Sequence, residues 1–257
     1  MAKLVSMRHG RLRPLLSLSL AALLAGWGAT AREAAGQRPP DAATCRTAPV
    51  RVGDERVAIA AVVRSRAVAY RRPSGRPFAR FGRVNQNGFP TVFRVIAAVR
   101  KRDCTPRWYR VQLPIKPNGV TGYVRAAAVR TGRVRSRVVV DVSARRLTLY
   151  RNGRRVLRTS VAVGSSATPT PLGRYYVNQR LIPADASGPF GPAAIGISAH
   201  STVLTTWTQG GPIAIHGTNE PWSIGHAVSN GCIRVRNAVL RRLFRVTPAG
   251  TPVTIRR

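Results

Sequence analysis

Residues 213–236 read Ile-Ala-Ile-His-Gly-Thr-Asn-Glu-Pro-Trp-Ser-Ile-Gly-His-Ala-Val-Ser-Asn-Gly-Cys-Ile-Arg-Val-Arg. The alternating start, Ile213-Ala214-Ile215, predicts a half-buried strand that delivers His216 to its end. Cys232 follows the turn-forming run Ser229-Asn230-Gly231 and precedes Ile233-Arg234. These polar and turn-forming neighbours do not suit a core thiol. A thiol attacks as its thiolate, and with a free pKa of about 8.5 it needs help at neutral pH. An imidazole at hydrogen-bond reach supplies that help, and a helix start beyond the cysteine would steady the negative charge. A helix is expected to begin near Asn237, which can cap it, with Val239, Leu240, Leu243 and Phe244 on one face and Pro248 and Gly250 to stop it. The amides of Gly231 and Cys232 are the candidate oxyanion hole. Cys232 is therefore the candidate nucleophile and His216 its base; His200, as a cleft-lining residue, and His226, exposed in the spacer, are the weaker histidines.

His-Gly-Thr, a spacer, then Ser-Asn-Gly-Cys-Ile-Arg resembles the active-site signature of the L,D-transpeptidase catalytic domain. The residue before Gly231 is often His in that family and is Asn230 here, which leaves His216 as the well-placed imidazole. Further signals lie upstream. Val138–Val142 and Leu147–Tyr150 read as strands. Asn152-Gly153 is a strong hairpin signal, because both turn residues tolerate positive φ. Strand, hairpin and the Thr168-Pro169-Thr170-Pro171-Leu172-Gly173 turn extend the resemblance over 136–257. It implies a β-sandwich with one short helix after the cysteine, and a cysteine acyl-enzyme acting on peptidoglycan stem peptides. L,D-carboxypeptidase hydrolysis of the same intermediate is the nearest alternative. A non-catalytic wall-binding protein is the alternative from another class. Substrate contacts are expected from Arg234, Ser229, Asn230, Thr218 and Gly217. As a structural residue, Arg234 would instead pair with Asp141 or Asp185, and Ser229 and Asn230 would shape the turn. No carboxylate is obvious as the group that orients His216; a backbone carbonyl or the Gly217-Thr218 turn fits.

The rest of the chain sets the context. Its 257 residues suffice for two small domains. Residues 1–31 have a basic start, an apolar core from Leu15 to Trp27 and an Ala29-Thr30-Ala31 cleavage pattern, so they read as a secretion signal. An exported, extracytoplasmic location follows, with membrane contact only through an uncleaved leader. Residues 32–43 read as a polar linker. Residues 44–130 carry short strand patterns at Val57–Val63, Ala67–Tyr70, Val92–Val99, Trp108–Leu113 and Gly122–Val124, separated by turn signals. They suggest a small barrel, and Trp108–Val111 through Gly122–Val124 resembles a bacterial SH3-like domain. A basic connector, 131–136, is expected between the units. The expected fold is thus mostly β in both parts.

Lys and Arg total 43 against 8 Asp and Glu, a formal charge of +35. Such a balance implies anionic partners. The arginines are spread along the chain without zinc-finger spacing, a recognition helix or an aromatic RNA-binding signature, so nucleic acid is not the expected partner. Anionic cell-wall polymers fit an exported protein better. Few acids and scattered histidines exclude a metal site from the expectation, and no cofactor is implied. In an oxidising compartment Cys45 and Cys104 are able to pair, worth roughly 3–4 kcal/mol, and leave Cys232 free. The sequence leaves that pairing open against one that consumes Cys232.

Overall fold

The computed structural model describes Cys45 and residues 48–257. The expected leader (1–31) and linker (32–43) lie outside the described residues. The first part runs β1 (Val50–Arg51), β2 (Ala58–Val63), β3 (Arg66–Tyr70), β4 (Pro77–Gly82), β5 (Val92–Arg100), β6 (Pro106–Gln112), β7 (Thr121–Arg125) and β8 (Val129–Val134). The second runs β9 (Ser136–Asp141), β10 (Arg146–Arg151), β11 (Arg154–Ser160), β12 (Val163–Gly164), β13 (Gly173–Leu181), β14 (Ala194–His200), β15 (Pro212–His216), β16 (Ala227–Ser229), β17 (Ile233–Arg234), α1 (Asn237–Val246) and β18 (Pro252–Arg256). The described chain is mostly β, with one α-helix among its elements.

The front sheet is antiparallel, in the order β4-β3-β7-β6-β5-β2-β8, with β1 added beside β5. β2 reads Ala-Ile-Ala-Ala-Val-Val because both of its faces are covered. Ala61 and Val63 pack with Phe93, Val95 and Val111 in the front core. Ala58 and Ala60 turn the other way, onto Val92, Val134 and Ala249. The expected connector is not a linker. Its first four residues belong to β8, which pairs with β2 from Ala58↔Val134 to Val63↔Val129. Backbone pairing does not need apolar side chains, and the two valines at the ends of β8 are enough to anchor four exposed residues between them.

The second sheet has the order β11-β10-β9-β18-β13-β14-β15-β17. Two of its pairings are parallel, β18 with β9 and β15 with β17. The β10–β11 hairpin turns at Asn152 (φ 51°) and Gly153 (φ 81°), as the Asn-Gly pair requires. Leu240 and Leu243 of α1 are buried in this core, with Val239 and Phe244 packed partly against it. Pro248 and Gly250 follow the helix end. Asn237 does not cap the helix as the sequence suggests. It is the first helical residue, and the cap at Arg236 makes no side-chain hydrogen bond.

Hydrogen bonds from β13 join the two sheets. Tyr176 is fully buried and its hydroxyl donates to the Val92 carbonyl at 3.0 Å. Gln112 Nε2 donates to the Arg174 carbonyl at 2.5 Å, and Asn85 Nδ2 donates to Gln179 Oε1 at 2.9 Å. Cys45 and Cys104 form a disulfide across 59 residues of sequence, with Cα atoms 5.1 Å apart. Closing a loop of that length restricts the unfolded chain by about 4 kcal/mol in the entropy treatment. The Cys45→Ser, Cys104→Ser double variant is accordingly expected to lose about 3–4 kcal/mol in urea unfolding while keeping its native circular dichroism. An unchanged midpoint would mean that the bond restrains nothing the folded sheet does not already hold.

Candidate active site

The site rests on the parallel pairing of β15 with β17. Its register is Ile215↔Ile233 and His216↔Arg234. Ile213, Ile215, Ile233 and Val235 are buried in the core. Alternation therefore turns Ala214, His216, Cys232 and Arg234 to the other face. Continued one residue back, the register sets Cys232 beside Ala214, two residues along from His216. Strand spacing of about 4.8 Å and a rise of about 3.3 Å per residue make Cys232 and His216 diagonal neighbours, with Cα atoms roughly 8 Å apart. Cys232 is free and half-buried.

His216 is buried, and its Nδ1 lies 2.6 Å from the Gly217 carbonyl. A carbonyl only accepts, so Nδ1 carries the proton and Nε2 is left as the basic nitrogen. This carbonyl is the orienting group for which no carboxylate was evident. Burial lowers the His216 pKa to about 4; the Gly217 bond pulls upward and the Arg234 charge adds to the depression. Burial raises the Cys232 pKa, while a hydrogen bond from the Ala214 backbone and the Arg234 charge oppose that rise. Both groups are thus neutral at neutral pH. Phe190 packs edge-on to the imidazole with ring centroids 5.0 Å apart, while remaining about half exposed.

The cysteine loop is held by short side chains. Ser229 Oγ donates to the Cys232 carbonyl at 2.6 Å and accepts the Gly231 amide at 3.2 Å. Thr168 Oγ1 donates to the Ser229 carbonyl and Thr170 Oγ1 to the Gly231 carbonyl, each at 2.9 Å. The Thr-Pro-Thr-Pro turn is therefore the brace of this loop. Gly231 adopts φ +102°, a conformation that L side chains rarely take. The Gly231 amide differs from expectation. It is engaged by Ser229 and does not point to an open oxyanion position, whereas among the described residues the Cys232 amide has no acceptor.

The remaining residues singled out from sequence are placed as follows. Thr218 is buried; its amide donates to Asn237 Oδ1 at 2.8 Å and its hydroxyl accepts the Glu220 amide at 2.9 Å. Gly217 lies so close to Asn237 that a Cβ there would sit 2.3 Å from Oδ1. Asn237 thus ties the start of α1 to the strand that carries His216. Ser229 is buried and satisfied within the loop, while Asn230 is exposed. Arg234 forms an ion pair with Glu220, not with Asp141 or Asp185. Glu220 is four residues past His216 and opens the Pro221–Ser223 turn, so the same segment that carries the imidazole carries this counter-ion. His226 is exposed. His200 lies away from this cluster, its backbone paired with the Asn118 side chain. Sequence reading missed Glu220 and Phe190. The only signal for the first was that it is the one acid after Asp185.

Residues 135–255 match the YkuD family, the L,D-transpeptidase catalytic domain. The chain is 38% identical over 120 residues to the putative L,D-transpeptidase YkuD of Bacillus subtilis (strain 168), covering 47% of this chain and 65% of that protein. It is 28% identical over 172 residues to the probable L,D-transpeptidase ErfK/SrfK of Salmonella typhimurium, covering 56% of this chain and 52% of that one. The solved catalytic domain of the E. faecium L,D-transpeptidase is similar at 25% identity and a TM-score of 0.35, over 47% of this chain and 95% of that one. The chain thus spans just under two thirds of the Bacillus relative and about half of the Salmonella one. The likeness to the L,D-transpeptidase catalytic domain is thus carried by residues 135–255.

Proposed function

We propose that the protein is an exported L,D-transpeptidase that crosslinks peptidoglycan through a thioacyl-enzyme on Cys232. The observation that carries this reading is the shared face: a free cysteine beside a neutral imidazole whose Nδ1 is held by the Gly217 carbonyl, which leaves Nε2 as the basic nitrogen. His216 Nε2 takes the thiol proton as sulfur attacks the carbonyl of the diamino acid at the third stem position. The C–N bond to the terminal D-alanine breaks, and His216 gives its proton to the departing amine. The side-chain amine of a second stem then attacks the thioester, its proton passes to His216, and the thiol is restored. The Cys232 amide is the donor aimed at the developing oxyanion. Because both groups are neutral at rest, the thiolate forms during attack and is not stored.

Arg234 is the residue we assign to a stem carboxylate, which it would hold by a two-pronged pair in competition with Glu220. Residues 44–130 are read as an SH3-like unit that docks on the wall, and the positive surface as a counterpart to anionic wall polymers. Among the described residues no helix is long and apolar enough to cross a membrane.

Incubation of purified protein with a carbapenem is expected to add one inhibitor mass, and Cys232→Ala to abolish both the adduct and the crosslinked dimers. Dimers formed by Cys232→Ala would discard the assignment; trimmed stems without dimers from the wild type would move it to carboxypeptidase. His216→Ala is expected to lower kcat by about 10²–10⁴-fold. The acidic limb of kcat/KM should fall near pH 4, not near 6.5, since His216 must be neutral to accept a proton. Stability has the same sign. Between pH 6.5 and about 4 the unfolded chain binds a proton that the native imidazole refuses. Folding is then expected to weaken by on the order of 3 kcal/mol on acidification, a slope that His216→Gln removes. Urea titrations of both proteins at pH 7 and pH 4.5 measure the difference. Glu220→Gln should lower KM for tetrapeptide if Arg234 grips the substrate; an unchanged KM would leave the ion pair a brace only.

A further inference from the structure

Arginines converge on a second place, a cavity of about 550 Å³ where the front sheet meets β13. Arg51, Ala97 and Arg110 lie at matched positions across β1, β5 and β6. Arg94 lies opposite Gln112. A register shift between Val95 and Ala97 lets residues 94 and 97, three apart on β5, face residues 112 and 110, two apart on β6. A bulge of this kind restores a common face, so Arg51, Arg94 and Arg110 point the same way. Arg174 of β13 adds a fourth guanidinium, on the residue whose carbonyl Gln112 holds.

These charges have little to answer them. Arg94 is half-buried and its Nε is buried without a hydrogen-bond partner. The ion pairs among the described residues, Arg137–Glu55 and Arg234–Glu220, involve none of the four. Arg110 donates only to the neutral Thr121 hydroxyl. Asp54 lines the cavity, but its Oδ1 accepts the amides of Arg56 and Val57, each at 2.7 Å. Burial, then the Arg174 and Arg51 charges, push the Arg94 pKa below its ordinary value, the direction expected where like charges share a partly dry space. Several guanidinium forks around one concavity match a group with several charged acceptor oxygens.

We propose that this cavity binds a phosphate-bearing ligand that bridges the front sheet and the catalytic domain. The site shares no residue with the Cys232 cluster. It gives an address to the anionic partner proposed above, and its failure would leave the reaction at Cys232 untouched.

Calorimetric titration of the full chain at fixed salt tests it, with three probes: inorganic pyrophosphate, the phosphodiester glycerophosphoglycerol, and citrate. Saturable one-to-one binding of a phosphate probe is expected. Arg94→Gln and Arg174→Gln should each weaken it at least tenfold, and Arg158→Gln, on an exposed arginine of β11 outside the cavity, less than twofold. Arg174 is exposed, so its variant keeps the test open if Arg94→Gln misfolds. Binding of the diester points to a polymer or headgroup source, and binding of pyrophosphate alone to a free phosphate. An equal loss in Arg158→Gln would reveal diffuse attraction to a polycation and overturn the site. So would equal binding of citrate with the same arginine dependence, or no saturable binding at all. Cys232→Ala protein should bind the phosphate probe with unchanged Kd.

Discussion

The parallel contact between β15 and β17 is the constraint that brings Cys232 and His216 to one face. Ile215 and Ile233 sit side by side in the core, and their burial fixes which way every neighbour must face. A slip of one residue would send Cys232 into the core and Ile233 out to solvent. The apolar cost of that slip is what keeps the sulfur and the imidazole on one face. The loop before the cysteine needs its own support, because a two-residue strand alone cannot hold a positive-φ glycine in place. Ser229, Thr168 and Thr170 provide it with short hydroxyls that donate to the loop's own carbonyls.

Electrostatics at this face are governed by burial before charge. Arg234 lies close enough to influence both Cys232 and His216, lowering the pKa of each, yet the dominant effect on both is loss of water. That environment favours two uncharged partners over an ion pair. Phe190 belongs to the same logic: an aromatic edge covers the buried imidazole while about half of its own surface stays exposed. Glu220 keeps Arg234 from standing uncompensated.

Much of this was legible in the sequence because it is local. Ile213-Ala214-Ile215 announces a strand by alternation, Asn152-Gly153 a hairpin by φ, and Val239, Leu240, Leu243 and Phe244 a helix face by spacing. The parts that escaped are set by distant neighbours. The Pro77–Gly82 strand and β8 carry too few buried side chains to signal themselves and exist because β3 and β2 offer them edges. Asn237 looks like a cap, since Asn often is one, but Thr218 reaches it first from 19 residues away. The partner of Arg234 and the fate of the Gly231 amide likewise depend on how one loop folds back on another, which no spacing rule records.

The hydrogen bonds that tie Tyr176, Gln179 and the Arg174 carbonyl to the front part of the chain have one further meaning. The borders of a sequence family need not be borders of stability. A chain cut at residue 135 would keep every reactive group, yet it would strand the Tyr176 hydroxyl and bare the Ala249–Gly250 turn against which β2 is pressed. The part of this chain that matches the family is better regarded as one half of a joint than as a portable module.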